Sequence, residues 1–367
     1  MKLSHVCADQ PIGWPALRQP GSNPTLVAVI TRLVPIVALL ALVSACGNTA
    51  ASTTERPEAA ASSTTAVPST LRSSAAPPSP ARVRANELGL VPVLMYHRIV
   101  AAPKSVYDRT PGDFRAELER LAREHYVPVT AAEFTAGRID IPAGTHPVVL
   151  TFDDADRSQF ALSADDTPDG TSAVGILLAV ARAHPGFRPV ATFYVNHDPF
   201  GDPGGRRTLP WLRAHGFDIG NHTLDHADLG TATAAVVQRE IVRCDQEIRR
   251  ATGAAPTTLA LPYGVHPAQR SLALRGSGYS YRGVFLVGAD PAPSPFARTF
   301  DPLNIPRIRS EAPTGPDAEF GSSAWLDKLA ANPASRYTSD GDPRHVSFPS
   351  GTAQQVAATY LASAHRY

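Results

Sequence analysis

Three observations predict an α/β fold built on a parallel sheet. Apolar runs of strand type alternate with helix patterns along the chain, the strands are apolar on both faces, and the residue types that carry chemistry follow directly after strand ends. A barrel and a doubly wound sheet both satisfy this pattern. In either one a functional site belongs at the C-terminal edge of the strands.

The elements read in order from about Leu88, where LGLVPVLMYHRI is a dense apolar run of strand type. Thr110-Pro111-Gly112-Asp113 opens a helix with an N-cap, a proline at the first helical position and an acid in the first turn, and Phe114, Leu118 and Leu121 form its apolar stripe. Pro147 to Phe152 is a continuous apolar strand, Ser172 to His184 an apolar helix and Pro189 to Val195 another strand. Leu209 to His215 reads as helix, Phe217 to Gly220 as a short strand, Thr233 to Ala251 as a longer helix stopped by Gly253, and Thr258 to Leu261 as strand. Cys244 keeps step with Val237, Ile241 and Ile248, which makes it a core residue of that helix and not a reactive thiol.

With 367 residues, a formal net charge of +1 and no basic run interleaved with aromatics, the chain has room for one large core and no nucleic-acid footprint. Ahead of the core, Leu33 to Val43 (LVPIVALLALV) is flanked by Arg32 and has the length of a signal-peptide apolar region. The following Val43-Ser44-Ala45-Cys46 resembles the lipobox of bacterial lipoproteins, which implies lipidation at Cys46 and a membrane partner through that lipid. The expected organisation is a signal peptide over 1–45, with a start at Val27 or Val29 left open, an Ala/Ser/Thr/Pro tether over 46–87 and one domain over 88–367. Such a chain is exported and held at the outer face of the cell membrane. Cys244 then has no partner for a disulfide.

Chemistry gathers at three strand ends. Asp153 and Asp154 follow VVLTF, and two adjacent carboxylates there can divide the work, one binding a metal and the other accepting a proton from water. Asn221-His222-Thr223-Leu224-Asp225-His226 places two histidines four residues apart after the next short strand, a spacing that lets both imidazoles reach one metal. Leu261-Pro262-Tyr263-Gly264 ends a third strand, where the Tyr263 N–H can face a developing oxyanion. Singly, a solvated Asp-Asp turn and a surface histidine pair are common. Together the groups form a His-His-carboxylate set with coordination positions left open.

TFDD, NHTxxH and PYG in this order resemble the polysaccharide deacetylases with a NodB-homology domain, carbohydrate esterase family four, over about Pro92 to Arg309. The resemblance implies a distorted (β/α)7 barrel and one divalent metal ion, usually Zn2+, held by Asp154, His222 and His226. It further implies that Asp153 is the catalytic base, that Tyr263 contributes to the oxyanion site, and that N-acetyl groups are removed from N-acetylglucosamine-type units of a cell-wall or extracellular polysaccharide. Two departures stand out. Ala260 occupies the place of the family's base-orienting arginine, and the C-terminal leucine-any-histidine motif is missing. VPVLMYHRI and LALPYG, however, resemble the branch acting on exopolysaccharides such as poly-N-acetylglucosamine, which makes His97 the candidate acid, with His345 and His365 in reserve. Arg307, in NIPRI, is the candidate replacement for the arginine. The acidic stretch from Ala155 to Thr171 reads as a solvated loop bordering the cleft in preference to a calcium site. A noncatalytic wall-binding lipoprotein and an O-acetyl esterase of the xylan type are the alternatives, and the oligomeric state is left unset.

Overall fold

The computed structural model describes residues 78–315, 317–352 and 355–367. Cys46, the apolar run before it and most of the tether lie outside the described residues. None of the helices among the described residues is long and apolar enough to cross a membrane.

Strands β1 (Val93–Tyr96), β2 (Tyr126–Val129), β3 (His146–Phe152), β4 (Thr192–Val195), β5 (Asp218–Asn221) and β6 (Thr258–Ala260) follow one another, separated in turn by helices α2 (Pro111–Arg123), α3 (Ala131–Thr135), α4 (Ala173–Ala183), α5 (Thr208–Ala214) and α6 (Ala234–Thr252). A small hairpin, β7 (Arg275–Gly276) and β8 (Tyr279–Ser280), precedes β9 (Gly283–Phe285) and β10 (Ile308–Arg309). The main sheet runs β10-β1-β3-β4-β5-β6-β9 with every neighbour parallel. Val149 pairs with Val93 of β1 on one side and Val129 of β2 on the other, so β2 and β4 share the far edge of β3 in succession. The ends of the sheet then meet. Ile305 bridges to Phe285 of β9, and three residues later Ile308 pairs with Leu94 of β1. This short segment curls the sheet into the distorted α/β barrel that the sequence predicts, seven strands along the path with β2 as an eighth.

Local chemistry sets the helices. In α2 (Pro111–Arg123) the Thr110 side chain accepts the Asp113 N–H behind a proline first residue, and α6 (Ala234–Thr252) ends on Gly253 in the left-handed conformation. Cys244 is buried on α6 among Val237, Ile241 and Ile248, and burial pushes its thiol well above its ordinary value. The strand expected from Pro189 begins only at Thr192. Proline cannot donate to the ladder. Between the sheet and its outer helices, Phe152 stacks between Tyr96 at 5.0 Å and Phe193 at 4.9 Å, with Phe114 edge-on to it at 5.8 Å. Burying one such ring contributes about 1.5–3 kcal/mol, and it fixes the residue immediately before Asp153.

Residues ahead of the expected Leu88 already belong to the folded domain. A single helical turn, α1 (Pro80–Val83), leads to buried Ala85, Asn86 and Glu87. The reason lies in the C-terminal segment, which comprises α7 (Ser322–Ala331) and the pair β11 (Val346–Phe348) and β12 (Ala364–Arg366). Residues 335–347 bond along the run that enters β1: the Leu90 N–H donates to Ser335, the Tyr337 N–H to Leu90, and the Ser347 N–H to the Glu87 carboxylate at 2.8 Å. Burial pushes Glu87 up to about 8 against those backbone donors. The Ser339 N–H donates to Thr145, just before β3, so the segment straps the N-terminal ends of the strands.

His146 opens β3 beneath this strap, its Nδ1–H donating to the Tyr337 carbonyl at 2.8 Å. Burial, aided by the charge of Arg336, brings its pKa down to about 4. Above pH 6.5 the imidazole is neutral in both states. As pH falls the unfolded chain takes the proton first, so stability drops between about pH 6.5 and 4, by about 3 kcal/mol at full extent. His146→Gln should flatten the fall of the urea midpoint between pH 7 and pH 4.5. An identical fall in the variant would contradict this origin.

Candidate metal centre

The site is built on the turns that leave β3, β5 and β6, and left-handed backbone makes those turns. Asp154 has φ 72°, Thr223 62°, His226 50° and Tyr263 59°. Each such non-glycine residue costs of order 1–3 kcal/mol, and that strain is held by its surroundings. After β3 the Asp153 N–H still pairs with the Tyr96 carbonyl, and Gln159 Nε2 donates to the carbonyls of both Asp153 and His97. The chain then reverses at Asp154. Asp153 is buried within the barrel, while the Asp154 side chain stays 41% exposed in the cleft.

Asp153 meets Arg307, whose side chain is 0% exposed. Nη1 donates to Oδ1 at 2.7 Å and Nη2 to Oδ2 at 2.6 Å. Two further donors are engaged as well: Nε on the Leu286 carbonyl at 2.7 Å and Nη1 on Thr151 Oγ1 at 3.2 Å, with Thr151 in turn donating to the Leu94 carbonyl. Burial alone would raise the Asp153 carboxyl, but the charges of Arg307 and His222 outweigh it and hold the group below the usual carboxylate range. Arg307 comes from the closing segment between β9 and β10, two strands along the sheet from Ala260: Phe285 of β9 pairs with Ala260 on one side and Ile305 on the other.

Around Asp154 Oδ1 stand His222 Nε2 at 3.5 Å and His226 Nε2 at 3.4 Å. His222 is buried, and its Nδ1–H donates to the Ala260 carbonyl at 2.9 Å, which leaves Nε2 as the lone-pair nitrogen. Burial works against charge on His222, yet the two carboxylates outweigh it and raise its pKa; in His226 burial prevails, and the pKa is lowered. One carboxylate oxygen and two imidazole nitrogens, all within 4.8 Å of one another, fit a divalent cation. Ligands about 2.1 Å from a tetrahedral ion stand about 3.4 Å apart. His97 and Tyr263 flank the set. The His97 ring is 18% exposed with Nε2 4.0 Å from Asp154 Oδ2, and burial lowers its pKa. Tyr263 is 62% exposed, its ring edge-on to His226 at 4.6 Å.

Residues 140–281 match the family model described as polysaccharide deacetylase. Over that stretch the chain is similar to polysaccharide deacetylases. The matched stretch holds Asp153, Asp154, His222, His226 and Tyr263 and leaves out His97 and Arg307. A chitin deacetylase of Pestalotiopsis is 30% identical over 152 residues, 41% of this chain and 48% of the relative, so the chain spans about half of that protein's length. A solved structure from Bacillus anthracis, described as a polysaccharide deacetylase, is 21% identical with a TM-score of 0.50, covering 65% of this chain and 69% of its own, and this likeness shows the fold. IcaB from Ammonifex degensii is 23% identical at a TM-score of 0.47, over 65% of this chain and 97% of its own.

Other groups sort themselves by position. His345 and His365 lie with β11 and β12, where Ser347 contacts His365 Nδ1 at 3.1 Å and binds Glu87, at the end of the barrel opposite Asp153. That removes them as reserve acids. In the acidic loop Asp166 pairs with Arg207 at 2.6 Å and Asp169 accepts from Thr171, and among the described residues no second group has metal-ligand spacing. Sequence reading missed Asp245 on α6. Its Oδ1 accepts from Asn221 Nδ2 at 2.7 Å and the Tyr281 hydroxyl at 2.6 Å, while Asn221 Oδ1 accepts the Thr223 N–H at 2.7 Å, which fixes the backbone between the two histidines. The available signal was an acid four residues after Ile241 on an apolar stripe.

Purified protein should hold about one divalent ion per chain, and the His222→Ala/His226→Ala double variant should lose it. Asp245→Ala should weaken the affinity by about 10- to 100-fold through the loosened histidine turn. Calorimetric titration of metal into stripped protein reads both, and undiminished binding by the double variant would remove the centre from these residues.

Proposed function

We propose that the chain removes N-acetyl groups from N-acetylglucosamine-type units of a cell-wall or extracellular polysaccharide, using a divalent ion, Zn2+ by its donor set, on Asp154, His222 and His226. One observation carries the reading: a buried carboxylate, held ionised by Arg307, lies 3.9 Å from His222 Nε2 at the edge of the ligand set. A ligand site for binding alone has no use for such a base. The chitin deacetylase relative supports the substrate class.

When bound, the cation supplies Lewis acidity at the acetamide carbonyl and lowers the pKa of the attacking water. Asp153, kept anionic, accepts that water's proton. A carboxylate held this low is a weak base, which is why an acidified water is needed. The Tyr263 N–H hydrogen-bonds the oxyanion, and His97 passes a proton to the departing nitrogen, since an amide leaves poorly as an anion. Acetate and a glucosamine unit result. The buried Asp153–Arg307 pair argues against a noncatalytic wall-binding role, which drew support from the arginine missing at position 260 and from the displaced acid. Export and lipidation at Cys46 belong to the same reading; Cys46→Ala should release the protein from the membrane fraction or leave an uncleaved precursor, and unchanged membrane association with normal processing would contradict it.

Acetate release from chitooligosaccharides, peptidoglycan and acetylated xylan, with and without chelator, tests the activity. Chelator-sensitive release from an N-acetylated glycan is expected; release from xylan alone would make the protein an O-acetyl esterase, and none from any substrate would overturn the reading. His97→Ala should lower kcat on the amide by about 10²- to 10⁴-fold and that on an activated aryl ester far less. Equal losses on the two would deny His97 the role of acid.

A further inference from the structure

Packing, not hydrogen bonding, orients the imidazole of His97. Its Nδ1 is buried with no partner, and its Nε2 stands 4.0 Å from the nearest carboxylate oxygen, beyond hydrogen-bond range. Against the ring lies half-buried Tyr107, centroid to centroid 4.8 Å, with the planes inclined at 51°. Tyr107 is in turn backed by the Arg309 guanidinium, 5.4 Å from its ring centroid, and Arg309 is anchored by Glu311 at 2.6 Å and Asp317 at 3.1 Å. The loop carrying Tyr107 is stapled across its base. The Val100 N–H donates to Arg109 and the Arg109 N–H to Arg98, while Arg98 grips Asp108 at 2.9 and 2.7 Å. The buried Asp108 carboxylate also takes the Lys104 N–H at 2.8 Å.

A loop with exposed Ala101, Ala102 and Pro103 needs no such bracing for its own sake. The bracing ends on one ring, and that ring ends on His97. Arg307 and Arg309, two residues apart on the closing segment, therefore serve two different groups: the first grips Asp153, the second backs the aromatic wall behind His97.

We propose that Tyr107, backed by Arg309, is the positioning residue for His97, its ring holding the imidazole in the orientation from which the leaving nitrogen is protonated. The inference rests on His97 as the acid. It requires the ring and not the hydroxyl. Tyr107→Phe should retain kcat, whereas Tyr107→Leu and Tyr107→Ala should lose about 10- to 100-fold in kcat on the N-acetylated sugar, with KM, metal content and the rate on an activated aryl ester unchanged. Independently of turnover, the His97 ring protons, displaced by the tyrosine ring current, should keep their NMR shifts in the Phe variant and move in the other two. His97→Ala run alongside separates the two ideas. If it shows the amide-selective loss and Tyr107→Ala does not, the positioning role alone falls; if it shows none, both fall. Equal losses on amide and ester, a loss confined to KM, a Phe variant as poor as Ala, or an unmoved His97 spectrum would each overturn the proposal.

Discussion

The bidentate pair between Arg307 and Asp153 is the interaction on which the rest of the structure depends. Taking both charges out of water costs several kcal/mol for each ion, and only good geometry with further hydrogen bonds offsets it. The barrel supplies both: the Leu286 carbonyl, the Thr151 hydroxyl and the face of Tyr194 complete the surroundings of the guanidinium. Arg307 lies on the segment that bonds to β9 at Ile305 and to β1 at Ile308. The same few residues thus close the barrel and hold the carboxylate. A chain that failed to close would leave Asp153 unpaired, so the proposed base is in place only in the completed fold.

That arrangement divides labour around the cleft. Ala260, where the family resemblance leads one to expect an arginine, offers only its carbonyl, and that carbonyl fixes the tautomer of His222. Orientation of the base has moved from β6 to the closing seam just beyond β9. The ligand turn is held from a third direction, by Asp245 and Asn221 beneath His222. Strained backbone at Asp154, Thr223, His226 and Tyr263 is tolerable because each turn is tied to a buried element beside it.

Much of this was legible in the sequence, for identifiable reasons. Strands such as His146–Phe152 are apolar on both faces, and helices such as Ala234–Thr252 carry both a stripe and caps, so periodicity and turn chemistry located them. The three motifs follow those strands, which brought Asp153, Asp154, His222, His226 and Tyr263 to one edge. β9 and β10 are three and two residues long, and Tyr126–Val129 contains a proline, so no period could develop in them. Without β10 the closure was invisible, and Arg307 could be suggested only by analogy. Glu87 and the C-terminal strap were equally hidden, because contacts across some 250 residues leave no local pattern.

A double-mutant cycle on unfolding free energy, with Arg307→Met, Asp153→Asn and the two combined, tests the dependence of the fold on this pair most directly. Each single variant leaves one buried group without its partner and should lose about 3–5 kcal/mol, while the combination should recover most of that loss, a coupling of at least about 2 kcal/mol. Additive losses, with coupling below about 0.5 kcal/mol, would contradict the claim that closure of the barrel and placement of the base are one interaction.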